Sequence, residues 1–137
     1  MNRPTVRSCD TSVLVAALLS WHPQHEVART AMGGVQILPA HVLLELYSVL
    51  TRLPAPHRLA PEAAAEVIDA LKLDIRTLPA DEHHALLRRL AVAGVRGGAT
   101  YDALVGATAA HHGLQLLSRD RRARATYDAV GAASILI

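Results

Sequence analysis

Four carboxylates, Asp10, Glu45, Asp102 and Asp120, stand where side chains can do chemistry. Asp10 opens Asp10-Thr11-Ser12 behind a short apolar run, a sound helix N-cap sequence. Asp102 falls in the first turn of a helical pattern, where a negative charge gains about 0.3–1 kcal/mol from the helix dipole. Asp120 closes Ser118-Arg119-Asp120 behind another apolar run. Each of these three has a structural explanation of its own. Glu45 is harder to explain that way. It borders the apolar stripe Val42, Leu46, Val49, Leu50, and a buried carboxylate without a partner is costly. One turn away stand His41, Ser48 and Val49, with no Lys or Arg among them. A metal ion is one partner that would suit it.

Other chemistries lack their usual support. The chain has no GxGxxG, GxxxxGK[ST], GxSxG, HExxH or CxxC. Dinucleotide binding, P-loop hydrolysis, esterase-type acyl transfer, zincin chemistry and thiol redox are therefore disfavoured. A phosphoaspartyl receiver wants paired acids after its first strand, and a haloacid-dehalogenase-type phosphatase wants a second Asp where Ser12 stands. The eight histidines include the adjacent pairs His83-His84 and His111-His112, whose side chains diverge on a helix. They read as solvated or helix-end residues, and Cys9, the single cysteine, as a small buried strand residue.

The elements that must carry these acids alternate in type. Strands are expected over 5–9, 35–38, 74–78, 114–117 and 133–137. Helices are expected over 11–20, 24–32, 39–53, 61–71, 81–93 and 100–112, from apolar spacing and from Pro and Gly punctuation. Alternation of this kind argues a parallel sheet covered by helices on both faces. The 114–117 segment is the more apolar strand and fits the middle of the sheet better than 5–9. Sites in such sheets form beyond the carboxyl ends of strands, so Asp10 and Asp120 are expected at one edge.

The 137 residues suit one domain, spanning 1–137, able to bury roughly 70% of its unfolded surface. With 51% hydrophobic and 19% charged residues the chain is not disordered. One cysteine forbids an intrachain disulfide and fits a reducing compartment. The apolar run from Val13 to Leu19 is too short to span a membrane and lacks a cleavage-site pattern, so a cytoplasmic protein without membrane contact is expected. The net charge of +2 is too small to identify a nucleic-acid partner. Aromatics are scarce (Trp21, Tyr47, Tyr101, Tyr127), which disfavours an RNA-binding sheet of many stacking rings.

Four stretches together resemble a known family. Asp10-Thr11-Ser12-Val13-Leu14-Val15 resembles the opening motif of PIN-domain ribonucleases, specifically the VapC-type toxins of bacterial toxin–antitoxin pairs. Leu44-Glu45-Leu46-Tyr47-Ser48-Val49-Leu50-Thr51-Arg52-Leu53 is similar to the family's glutamate-bearing helix. Tyr101-Asp102-Ala103-Leu104-Val105-Gly106-Ala107-Thr108-Ala109 resembles the third motif, and Leu116-Leu117-Ser118-Arg119-Asp120-Arg121-Arg122 the fourth. Singly each is weak; four in order over nearly the whole chain are specific. Gly106 stands where the family often has Ala, a helix cost of about 1 kcal/mol. Ser118 stands for a frequent Thr and keeps the hydroxyl.

The resemblance implies a three-layer α/β/α PIN-like domain around a central parallel sheet of four to five strands. It implies a Mg²⁺-dependent endoribonuclease, Mn²⁺ being possible, that acts through Asp10, Glu45, Asp102 and Asp120. Asp10 and Asp102 would be the most direct ligands, with Glu45 and Asp120 completing the cluster. Two carboxylates about 5 Å apart repel by roughly 3 kcal/mol at an effective dielectric of 20, so such a cluster needs a cation. Thr11, Ser12 and Ser118 would orient the acids, and Arg119, Arg121, Arg122 and Arg124 would hold RNA phosphates. The implied partners are a VapB-type antitoxin, an RNA substrate and a second copy in a homodimer. Two other readings remain open: a non-catalytic PIN-fold binding module, and another metal-dependent phosphoesterase.

Overall fold

A computed structural model describes residues 5–137. The first strand, β1 (Arg7–Cys9), runs into α1 (Thr11–Leu18) and α2 (His25–Met32). Then come β2 (Ile37–Pro39), α3 (Ala40–Thr51), α4 (Pro61–Asp69) and β3 (Asp74–Arg76). A single 3-10 turn (Ala80–Glu82) leads into α5 (His83–Ala93), followed by α6 (Ala99–His111) and β4 (Gln115–Ser118). A second 3-10 turn (Arg121–Ala123) precedes α7 (Arg124–Ala129), and β5 (Ala133–Leu136) is the last element.

Every strand pairing is parallel, as the alternation demands. The expected four- to five-stranded sheet is divided, however, into β1-β4-β5 and β2-β3. The two parts meet through one parallel bridge, Arg7 with Val35. The strands are short: β1 and β2 hold three residues each, too few to carry a continuous ladder across the junction. Within the larger sheet β4 is central, and its Leu116 and Leu117 are buried. The α/β architecture is thus the expected one. The described helices include none long and apolar enough to cross a membrane.

α7 is the helix that periodicity does not reveal. It has six residues, fewer than two turns, and buries only Thr126 and Tyr127. α6 ends where expected, before Gly113, whose φ of +65° lies in the left-handed region open to glycine. On α3, Val42, Leu46 and Leu50 are fully buried at a spacing of four. Burial of each such side chain contributes about 1.5–3 kcal/mol, which anchors the helix and fixes the side on which Glu45 emerges.

Candidate functional site

The register of β1 against β4 brings the first and last acids together. Cys9 pairs with Leu117, and the Asp10 amide donates to the Leu117 carbonyl at 3.0 Å. Both strands therefore end at one edge, with Asp10 and Asp120 just beyond it. α3 and α6 pack on each other and supply Glu45 and Asp102. All four acids line a single open pocket, together with Thr11, Ser12, His22, Arg52, Arg119, Arg122 and Tyr127.

Asp10 is held from three directions. It caps α1, with Oδ1 accepting from the Ser12 amide at 3.0 Å and from the Ser12 hydroxyl. The same hydroxyl oxygen accepts from the Arg119 amide at 2.8 Å, tying the α1 start to the β4 exit. Oδ2 accepts from the Tyr127 phenol at 2.7 Å. Burial and the neighbouring Asp10 push the Tyr127 hydroxyl far above its ordinary range, so it stays a donor. Tyr127 lies 117 residues from Asp10, on α7, and no sequence spacing points to it.

Asp120 is fixed by its turn: its amide donates to Ser118 Oγ at 3.0 Å, and its Oδ1 accepts from the Arg122 amide at 3.0 Å. The Arg122 guanidinium approaches to 3.6 Å but is 94% exposed, so that ion pair adds little. Arg119 and Arg122 line the pocket, as does Arg52, which the sequence did not single out. Arg121 and Arg124 are exposed and lie outside it.

Glu45 has neighbours after all. Thr11 donates to Oε2 at 3.3 Å, and His41 Nε2 lies 3.1 Å from Oε1. The histidine one turn back is thus the partner that a search for Lys and Arg passes over. It lacks hydrogen-bond alignment, and the buried Oε1 is left without a bond. Burial raises the Glu45 pKa against the opposing pull of His41 and Thr11. Asp102 is pushed up to about 6, by burial first and then by the charges of Glu45, Asp120 and Asp10. The acids therefore feel one another across the pocket.

Whether this pocket suits a cation depends on its donors. Among the described residues, no three His, Cys, Asp or Glu side chains converge on a common ligating point. The residues nonetheless fit a hard cation. The acids supply only oxygen, Glu45 Oε1 is buried and unbonded, and burial, with the charges of the other three acids, lifts Asp102.

Cys9 and three of the histidines serve the fold. Burial pushes the Cys9 thiol far up and leaves it unreactive. His25, His83 and His112 each set a ring nitrogen against a backbone carbonyl at 2.8–3.0 Å, as helix-end histidines do.

Known proteins resemble this chain in sequence and in fold. Residues 8–129 match the PIN domain family model. Ribonuclease VapC40 of Mycobacterium tuberculosis is 50% identical over 120 residues, covering 87% of this chain and 90% of the relative. Ribonuclease VapC27 of the same species is 42% identical over 128 residues, covering 89% and 90%. The crystal structure of PAE2754 from Pyrobaculum aerophilum superposes with a TM-score of 0.62 at 18% identity. It covers 96% of this chain and 90% of that one, a likeness of fold alone.

Proposed function

The chain belongs to the PIN-domain family, and on that footing we propose that it is the ribonuclease toxin of a toxin–antitoxin pair. It hydrolyses RNA phosphodiester bonds at the Asp10–Glu45–Asp102–Asp120 pocket with Mg²⁺, or Mn²⁺, held there. The supporting observation is the gathering of these acids, drawn from positions 10 to 120, onto one pocket that also carries Arg52, Arg119 and Arg122. A module that only binds a partner has no use for clustered, mutually repelling carboxylates.

Asp10 and Asp102 would hold the ion most directly, and Glu45, through its unbonded Oε1, and Asp120 would complete the set. Held by these residues, a divalent ion would offset their repulsion and would supply an activated water and charge neutralisation at the phosphate. Ser12 and Tyr127 keep Asp10 from turning away, and Thr11 does the same for Glu45. Arg119 and Arg122 orient the phosphate, Arg being suited to its oxygens.

The reading extends to partners. The relatives are VapC ribonucleases, so a VapB-type antitoxin, a homodimer and a cytoplasmic setting follow from it. Leu44 and Leu104 line a groove beside α3, which suits an apolar antitoxin segment. Purified protein is to be incubated with total RNA, with Mg²⁺ and with chelator, and the new ends mapped. Cleavage that requires the metal and disappears in Asp10→Asn, with the fold intact, is expected. Wild-type rates from folded Asp10→Asn would reject the assignment.

A further inference from the structure

Among the described residues, His22 is the one histidine that lines the acidic pocket. It stands in the connection from α1 to α2, which is pinned on both sides of it. The His22 amide donates to the Leu19 carbonyl at 2.9 Å, and the His25 amide donates to the His22 carbonyl at 3.0 Å. The ring is fixed as well: Nδ1 accepts from the Gln24 amide at 3.0 Å. A neutral imidazole accepts at one nitrogen and donates from the other, so this contact assigns the proton to Nε2. Among the described residues, no acceptor meets Nε2.

The ring is held uncharged. A proton on Nδ1 would set N–H against N–H and break the Gln24 contact. Burial, then the charges of Arg119 and His25, lower the His22 pKa in addition. Such a ring is a poor acid and a poor base, because its Nδ1 lone pair is engaged and loss of the Nε2 proton would leave an anion. What it offers is one fixed, neutral donor. Arg119 lies close enough for its charge to be felt at His22, and it lines the same pocket. Among the described residues its guanidinium has no ion-pair partner. Together the two side chains present donors and no free acceptor, which is the chemistry of an oxyanion site.

We propose that His22 Nε2 and the Arg119 guanidinium bind one phosphate of the RNA between them, His22 as an uncharged donor. The proposal rests on the ribonuclease reading and adds a binding residue to it.

Asn and Gln separate the roles of the two ring nitrogens. Asn at position 22 can still accept from the amide two residues on, as in an Asx turn, but does not reach the Nε2 position. Gln is long enough to donate from there. Binding of a labelled oligoribonucleotide is measured by anisotropy in chelator, at several salt concentrations. His22→Asn should weaken binding about tenfold, the loss of one hydrogen bond to a charged oxygen. Its log–log salt slope should match wild type, because an uncharged donor releases no counterion, whereas Arg119→Ala should flatten the slope by about 0.7. His22→Gln should retain most of the affinity. With Mg²⁺, His22→Asn should raise KM and leave kcat near wild type, as loss of uniform binding does. Circular dichroism checks the fold of both variants. Long-range proton–nitrogen NMR spectra of the wild-type protein at pH 7.5, which need no variant, should show His22 as the Nε2–H tautomer.

Wild-type affinity in folded His22→Asn, equal losses in the Asn and Gln variants, a flattened slope in His22→Asn, or a charged or Nδ1–H ring overturns the proposal. If the wild-type protein still cleaves RNA under any of those results, the ribonuclease reading stands without it. A wild-type protein that neither binds nor cleaves RNA defeats both.

Discussion

Replacing Gly106 with Ala tests whether α6 and α7 are packed to contact behind the acids. A Cβ at position 106 would lie 2.8 Å from Val130 Cγ2, 2.9 Å from Tyr127 Cδ1 and 3.5 Å from Ala132 Cβ. Carbon pairs prefer about 3.5–4.0 Å, so the first two contacts are repulsive. Neither neighbour yields easily. Tyr127 and Val130 are 2% and 1% exposed, and the Tyr127 hydroxyl is tied to Asp10 at 2.7 Å. Overpacking of this kind costs about 1–3 kcal/mol, while Ala recovers about 1 kcal/mol of helix propensity over Gly. With two contacts below 3.0 Å the cost falls in the upper part of that range, about 2–3 kcal/mol, so the expected net loss is about 1–2 kcal/mol. At about 2.1 cal/mol/K per residue, this becomes a Tm drop of roughly 3–7 °C for a chain of this length. A ring pushed aside also draws its hydroxyl from Asp10, so Mn²⁺ affinity and cleavage rate should fall together. Thermal unfolding by circular dichroism measures the first effect and calorimetric metal titration the second. An unchanged or higher Tm in Gly106→Ala would refute the argument, because the helix propensity would then outweigh the repulsion. The family's usual Ala at this position does not transfer to this chain while Tyr127 fills the space.

Tyr127→Phe should cost about 1.5–3 kcal/mol, as befits loss of a buried hydrogen bond to a carboxylate, and should weaken metal binding with the fold retained. Denaturant melts and the same titration check both. In metal-free protein, Asp102 has its pKa raised from 3.8 to about 6, so its contribution to stability is fully present below pH 4 and lost as pH rises through 6. Asp102 is only half-buried, so the loss should be about 1 kcal/mol after screening, and absent in Asp102→Asn; melts from pH 4 to 7.5 in chelator decide it. Arg119→Ala with Arg122→Ala should weaken RNA binding and flatten its log–log salt slope by about 0.7 for each phosphate no longer neutralised. A wild-type slope in that double variant would move the RNA track elsewhere.

Much of the molecule follows from the sequence by itself. Helices and strands read off at nearly their observed places because their signals are local: the apolar period of α3, the Asp10 cap of α1, and the turn at Gly113. The four acids were legible as well, since each sits in a motif of a few residues that resembles a family pattern. Tertiary structure decided what depends on distance through space. It divided the sheet, because three-residue strands leave the β1–β2 junction a single bridge. It put Arg119 and Arg122 on the pocket wall and left Arg121 and Arg124 off it, because neighbouring residues of the 3-10 turn and of the helix after it point in different directions. It set Tyr127 on Asp10 and against Gly106, joining helix α7, the end of β1 and helix α6. No local rule encodes that meeting. It exists because packing brings residues 10, 106 and 127 to one place, where the hydrogen of a glycine is all the space allows.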